Sequence, residues 1–221
     1  MAIIITFSGL VGTGKSVCAR YVSSELYRRG LPVYYLRYRF ISLKSFFAPK
    51  KQVKSFQFKE KPVKSPREVE ARFEYFTLHS PWRLLVTAPW YLLRAYLFFI
   101  LVNVRYPNDV VIADRYVYDH LAHYRLTDGQ SAWIYRLFGK LLPKPRLPFV
   151  LYAGFEAVKQ ARPGYSDGYI QLNLENYRKL PILFPNTIFV DAEPVRAKAE
   201  AVLAEISKKL EVKSNKVKSE K

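Results

Sequence analysis

The chain is 221 residues long, carries a formal net charge of +18, and is 50% apolar and 16% aromatic. That composition supports one α/β domain with a full core and excludes an intrinsically disordered chain. A single cysteine, Cys18, excludes an internal disulfide and fits a reducing, cytoplasmic compartment.

In chain order, Ala2–Phe7 is a short apolar run ending at Ser8-Gly9. It reads as a buried strand, because it lacks the basic flank and cleavage site of a signal peptide. Helical spacing through Val17, Tyr21, Val22 and Leu26 predicts a helix over Lys15–Arg29, stopped by Gly30. Pro32–Arg37, rich in Val and Tyr, predicts a second strand. From Arg37 to Arg67 ten Lys/Arg stand against one acid, Glu60, and Pro49, Pro62 and Pro66 break any long helix. The stretch 41–66 therefore reads as a basic insertion or mobile lobe within a domain spanning 1–211. Arg67–Leu78 reads as helical.

Leu84–Val104 is apolar and long enough to suggest a membrane span, but it contains Pro89 and Arg94. The reading taken is a buried helix carrying a functional arginine, over a membrane span or a membrane-surface contact. Val110–Ala113 is a third strand, Trp133–Leu142 a helix, Phe149–Ala153 a fourth strand and Thr187–Val190 a fifth. Val195–Leu210 reads as an amphipathic helix, and 212–221 as a basic flexible tail. Strands alternating with helices predict an α/β fold with a doubly wound, five-stranded parallel sheet.

The surplus of positive charge calls for acidic partners: nucleotide phosphates, nucleic acid or an anionic membrane surface. The basic segment in particular predicts weak, salt-sensitive polyanion binding.

One motif carries the chemistry. Gly9-Leu10-Val11-Gly12-Thr13-Gly14-Lys15-Ser16 matches G-x-x-x-x-G-K-[ST], between an apolar strand and a helix. Gly9, Gly12 and Gly14 let the backbone curl, so that N–H groups from Thr13 to Val17 face phosphate oxygens. Lys15 reaches the β- and γ-phosphates of ATP, and the Ser16 hydroxyl joins a Mg²⁺ shell. By ordinary residue frequencies a chance match in a chain of this length is roughly a 1% event, so the chain reads as a P-loop protein.

Asp114 ends the third strand, where ligands gather in doubly wound sheets, and can serve Mg²⁺ or the attacking group. Arg115 can clamp an acceptor phosphate in bidentate fashion. Trp90 and Arg94, four apart on a helix, can stack on a base and bond its edge; the alternative is an arginine whose stem covers the core. Lys159 and Arg162 precede Pro163-Gly164; they can act as basic residues of a lid that neutralises transferred charge, the alternative being a solvated basic face. His120 and His123 beside Asp119 offer too few ligands for a metal site.

These residues together resemble the thymidylate kinase family of P-loop nucleoside monophosphate kinases. The resemblance rests on Phe7-Ser8-Gly9 leading into the P-loop, on Val111-Ile112-Ala113-Asp114-Arg115-Tyr116, and on Phe189-Val190-Asp191-Ala192. It implies that Asp114 serves Mg²⁺ and the acceptor, and that Arg115 holds the acceptor phosphate. It further implies that Trp90 and Arg94 grip the base, that Arg162 is the lid arginine, and that Ala192 lies beside adenine. The reaction implied is ATP + dTMP giving ADP + dTDP, in a homodimer.

The chain departs from the family in three places. Val11 stands where an acidic P-loop residue usually contacts the acceptor sugar. Arg37, Tyr38 and Arg39 are the nearest candidates for an acceptor-binding element after the second strand. Asp119 follows Asp-Arg-Tyr in a form seen in looser relatives. Rival readings are a P-loop kinase acting on another nucleotide, a nucleoside or a polynucleotide 5′ end, a non-catalytic ATP-binding regulator, and, less favoured, a membrane-associated protein using Leu84–Val104. A guanine-reading Asn/Thr-Lys-x-Asp element is lacking, which argues against a GTPase.

Overall fold

The computed structural model describes residues 1–38, 52–56, 79–124, 126 and 132–219. The predicted helix over Arg67–Leu78, most of the basic stretch 41–66, and Arg39 lie outside the described residues.

Five strands form one parallel sheet: β1 (Ile3–Ser8), β2 (Val33–Arg37), β3 (Val110–Asp114), β4 (Leu147–Tyr152) and β5 (Ile188–Asp191), in the order β2-β3-β1-β4-β5. The predicted α/β sheet is therefore present. β3 and β4 are buried at every residue, as expected of strands covered on both faces. Alternation decides which side chain meets which layer. Ile5, Phe7, Ile112, Phe149 and Leu151 pack under α1 (Lys15–Arg28) and α7 (Val195–Ser219), through Val22, Leu26, Val202 and Ile206. Ile4, Val111, Ala113 and Val150 turn to the opposite layer. That layer contains α2 (Pro81–Arg105), α3 (Val117–Leu121), α4 (Ala132–Leu141), α5 (Phe155–Ala161) and α6 (Asp167–Leu183).

Register brings the functional ends of the strands level. Phe7 pairs with Asp114, Arg37 pairs with Asp114 from the other side, and Ser8 pairs with Val150. The carboxyl edge of the sheet thus presents the P-loop, Asp114 and the start of α5 side by side.

Helix α2 differs from the buried helix expected at Leu84–Val104. It starts at Pro81, whose missing N–H costs nothing at the first helical position. Leu84, Ala95, Phe98 and Val102 are buried in the core, but Trp82, Val86, Leu93, Ile100 and Val104 are exposed. One stripe of the helix packs on the sheet; the opposite stripe is equally apolar and faces outward. α6 is absent from the sequence reading. Ser166 caps it, its Oγ accepting from the Tyr169 N–H at 3.3 Å, and Pro181 lies inside its last turn. α7 runs to Ser219 rather than stopping near Leu210, since no Gly or Pro interrupts 211–219.

Candidate functional site

The P-loop leaves β1 through backbone that only glycine adopts without strain. Gly9 has φ +147° and Gly14 has φ +84°. A side-chain carbon on Gly9 would collide with the Leu151 carbonyl, and one on Gly14 would lie 2.8 Å from both methyls of Val195. Gly14 therefore carries the left-handed turn into α1 and also the close approach of α7. Thr13 closes the loop from inside, its Oγ1 donating to the Leu10 carbonyl at 2.9 Å. Lys198 on α7 is 1% exposed, and its Nζ donates to the Thr13 carbonyl at 3.3 Å. Burial lowers its pKa.

Lys15 is also buried, its Nζ donating to the Leu10 carbonyl at 2.6 Å. Burial pushes its pKa down to about 8; Asp119 and Asp114 pull it up, while Arg115 and Arg162 push it further down. These four charges, from β3, the turn after it, α3 and the end of α5, all act on one ammonium. Val17, at the third position of α1, is half-buried.

Ser16 Oγ donates to Asp114 Oδ2 at 2.6 Å, and the Tyr35 hydroxyl donates to the same oxygen at 2.7 Å. Asp114 is 1% exposed, and its Oδ1 has no hydrogen-bond partner among the described residues. A hydroxyl and a buried carboxylate with an unsatisfied oxygen form a hard-oxygen donor set, which fits Mg²⁺. Groups of three or more His, Cys, Asp and Glu able to hold a metal do not occur among the described residues.

Arg115 follows in the left-handed region at φ +82°, unusual for a side chain of its size, with its N–H donating to the Phe7 carbonyl at 2.9 Å. That geometry turns the chain out of β3 directly beside the P-loop. Asp119, four residues on, is buried and accepts three bonds: from Gly9 N–H at 3.3 Å, Tyr116 N–H at 3.3 Å and the Tyr177 hydroxyl at 3.0 Å. It joins the entrance of the P-loop to α3 and α6. Asn176, also on α6, clamps the end of α3 by donating to the carbonyls of Ala122 and Tyr124 at 2.9 and 2.8 Å.

Arg162 ends α5 and is exposed; a side-chain carbon on Gly12 would lie 3.4 Å from its Cγ, so it borders the P-loop. Lys159 does not join it. Its Nζ pairs with Asp167 at 2.7 Å and donates to the Tyr165 carbonyl at 2.9 Å, tying α5 to the start of α6. Ala192 lies between β5 and α7, next to Glu193, whose Oε1 accepts from the Gly154 N–H at 2.9 Å.

Arg94 stands over the ring of Tyr38, 5.5 Å from its centroid. Tyr38 is anchored by its own N–H donating to the Asp114 carbonyl at 3.0 Å, and its ring packs on Phe98 and Tyr116. Burial pushes its pKa up to about 12, against the pull of Arg94. Tyr91, one turn earlier on α2, stacks on His120 with centroids 5.2 Å apart. Burial pushes His120 down to about 4; Arg94, His123 and Arg115 act with burial, and Asp119 opposes. Among the described residues, Trp90 does not share these surroundings. It is 54% exposed on the outer stripe of α2, because the boundary of the buried face falls between positions 90 and 94. Arg94, one turn further on, is half-buried, so the pair runs from the exposed side of α2 towards Tyr38.

Asp114, Arg115, Arg162 and the P-loop are thus brought together, with Arg94 and Tyr38 adjacent across Tyr116. Tyr35, Asp119, Tyr177 and Lys198 are the residues that sequence reasoning did not assign to the site. A signal was present for Asp119, at a fixed step after Asp-Arg-Tyr; none marks Tyr35 or Lys198.

No protein-family model and no curated protein matches the sequence. Among solved structures, the thymidylate kinase from Ehrlichia chaffeensis is similar over 95% of this chain and 98% of its own, with a TM-score of 0.52 and 16% sequence identity. At that identity the likeness speaks for the fold alone, and the fold is the α/β P-loop fold of that kinase.

Proposed function

We propose that the protein transfers the γ-phosphoryl group of ATP to a nucleoside monophosphate, with dTMP as the acceptor of first choice. The observation that carries the reading is the placement of Asp114 and Arg115 at the end of β3 beside the P-loop, where Asp114 Oδ2 accepts from Ser16 Oγ at 2.6 Å and the Arg115 N–H donates to the Phe7 carbonyl at 2.9 Å, with Arg162 bordering Gly12. That density of charge suits a reaction whose barrier is dominated by positioning and charge neutralisation.

In this reading the P-loop N–H groups from Gly12 to Val17 cradle the phosphates, and Lys15 lies against the β- and γ-oxygens. Ser16 and Asp114 would hold Mg²⁺, which when bound neutralises charge on the β- and γ-phosphates. Arg115 holds the acceptor phosphate in line, and one of that phosphate's oxygens attacks the γ-phosphorus as the bond to the β-γ bridging oxygen breaks. Arg162, which borders the loop at Gly12, receives the developing charge. Tyr38 and Arg94 form the wall against which the acceptor base rests, and Ala192 lies beside the adenine.

A second acceptor class is favoured by one observation. Val11, half-buried in the loop, offers no carboxylate to a sugar hydroxyl, which leaves room for another nucleotide or a polynucleotide 5′ end. An ADP-release assay run across the nucleoside monophosphates tests both readings. Turnover that depends on dTMP supports the first. Turnover with a different acceptor alone moves the reading to the second, and absence of turnover with any of them contradicts it.

A further inference from the structure

Lys198 is, with Lys15, one of the two lysines buried among the described residues. It lies in the first turn of α7, where its own N–H donates to the Pro194 carbonyl at 3.2 Å. Val195 on the same turn closes against Gly14, so α7 is pressed onto the P-loop at this point. The Lys198 Nζ donates to the Thr13 carbonyl at 3.3 Å. Among the described residues it makes no ion pair with a carboxylate. Glu193, Cys18 and Asp191 favour its charged form from further off, but burial outweighs them and lowers its pKa. A buried ammonium without a carboxylate beside it is costly, and a methionine of similar length would fill the same space without that cost. Packing alone therefore gives no reason for a lysine here.

Peptide geometry supplies one. The Thr13–Gly14 peptide bond is trans, and a trans peptide directs its carbonyl and its N–H to opposite sides. The Lys198 ammonium thus approaches this peptide from the side opposite the Gly14 N–H. A cation on a carbonyl oxygen polarises the amide and makes its N–H a stronger donor. The Gly14 N–H belongs to the loop whose amides meet phosphate, directly before the first turn of α1. A bound polyphosphate in turn supplies the negative charge that the buried ammonium lacks, so each stabilises the other. We propose, on the basis that this loop binds ATP, that Lys198 is a positioning residue for the triphosphate, acting from behind the P-loop through the Thr13–Gly14 peptide. In this role Lys198 touches no phosphate itself, whereas Lys15 does.

The test measures Kd by isothermal titration for Mg²⁺-ATP and for inorganic tripolyphosphate, together with urea unfolding, on the full chain. Three proteins are compared: wild type, Lys198→Met, which removes the charge and keeps the length, and Lys198→Gln, which keeps polarity without charge. Both variants are expected to bind both ligands about tenfold more weakly, with Lys198→Met at least as stable as the wild type. A residue that only packs would show the reverse, a less stable fold with the ligand affinity of the folded protein unchanged. Wild-type affinity for both ligands in a folded variant would overturn the proposal. Weaker binding of ATP with tripolyphosphate unaffected would move the effect to the adenine side and overturn it as well. Should Lys198→Met fail to fold, Lys198→Gln makes the same comparison. A wild type that binds neither ligand would instead overturn the ATP-binding reading of the loop, and this role with it.

Discussion

Ser16 Oγ lies 2.6 Å from Asp114 Oδ2, joining the start of α1 to the last residue of β3. The contact spans two crossovers of the chain, and it depends on the β1–β3 register that sets Phe7 beside Asp114. Because Asp114 Oδ1 is buried without a partner among the described residues, a bound cation would complete an arrangement the fold already holds in place. Asp114→Asn keeps the volume and the bonds from Ser16 and Tyr35 but removes the charge. It is expected to lower kcat/KM by about a hundredfold or more and to raise the Mg²⁺ concentration needed for half-maximal rate. Kinetics over a Mg²⁺ titration, with a melting curve, check this; an unchanged Mg²⁺ requirement would remove Asp114 from the metal.

Asp119 is a second anchor, of a different kind. Its carboxylate accepts the N–H groups of Gly9 and Tyr116 and the hydroxyl of Tyr177, all from a buried position. Asp119→Ala would strand these donors and is expected to destabilise the protein by about 2–4 kcal/mol, with Asp119→Asn recovering part of the loss. Urea unfolding of the three proteins measures it. A cost below about 1 kcal/mol for Asp119→Ala would show that the P-loop entrance is held by other means.

The sheet is legible in the sequence because strands covered on both faces read as unbroken apolar runs, as Val110–Asp114 does, and because the P-loop fixes where the first strand ends. α6 is not legible. Asp167-Gly168 opens it weakly and Pro181 interrupts it, although Ile170, Asn173, Leu174, Tyr177 and Leu180 keep helical spacing on its buried side. Lys198 reads as a surface lysine of an amphipathic helix; only the close approach of α7 to Gly14 shows that it faces the P-loop. Tyr35 meets Asp114 through the β2–β3 pairing, which no local pattern encodes. For α2, hydropathy reveals that the helix is apolar but not that the sheet covers only one of its sides.

Arg94, held over Tyr38, separates acceptor recognition from simple core packing. Arg94→Ala is expected to lower kcat/KM for the acceptor roughly ten- to a hundredfold, with KM for ATP nearly unchanged. Steady-state kinetics with each substrate varied, plus a melting curve, decide the matter. A variant with normal acceptor kinetics, or one in which both substrates suffer alike through lost stability, would end the base-reading role.

His120 makes stability depend on pH. Its folded pKa of about 4 lies below the unfolded value of 6.5, so between those values the unfolded chain binds more protons than the folded one. Stability therefore rises with pH across that window and falls as pH drops from 6.5 towards 4. The contribution is about 2 kcal/mol between pH 7 and pH 4.5. Chemical unfolding at both pH values should show a smaller difference in His120→Gln than in the wild type. Equal pH dependence in the two proteins would mean that His120 is protonated in the fold or that its burial is offset.

The most direct test follows the phosphoryl group itself. ATP radiolabelled at the γ-phosphate is incubated with Mg²⁺ and dTMP, with wild-type protein and with Lys15→Ala, and the products are separated. The label is expected in dTDP with the wild type and to remain in ATP with Lys15→Ala, whose melting temperature should be little changed. Label released only as inorganic phosphate, or transfer by Lys15→Ala at the wild-type rate, would contradict the assignment of this site to phosphoryl transfer onto a nucleoside monophosphate.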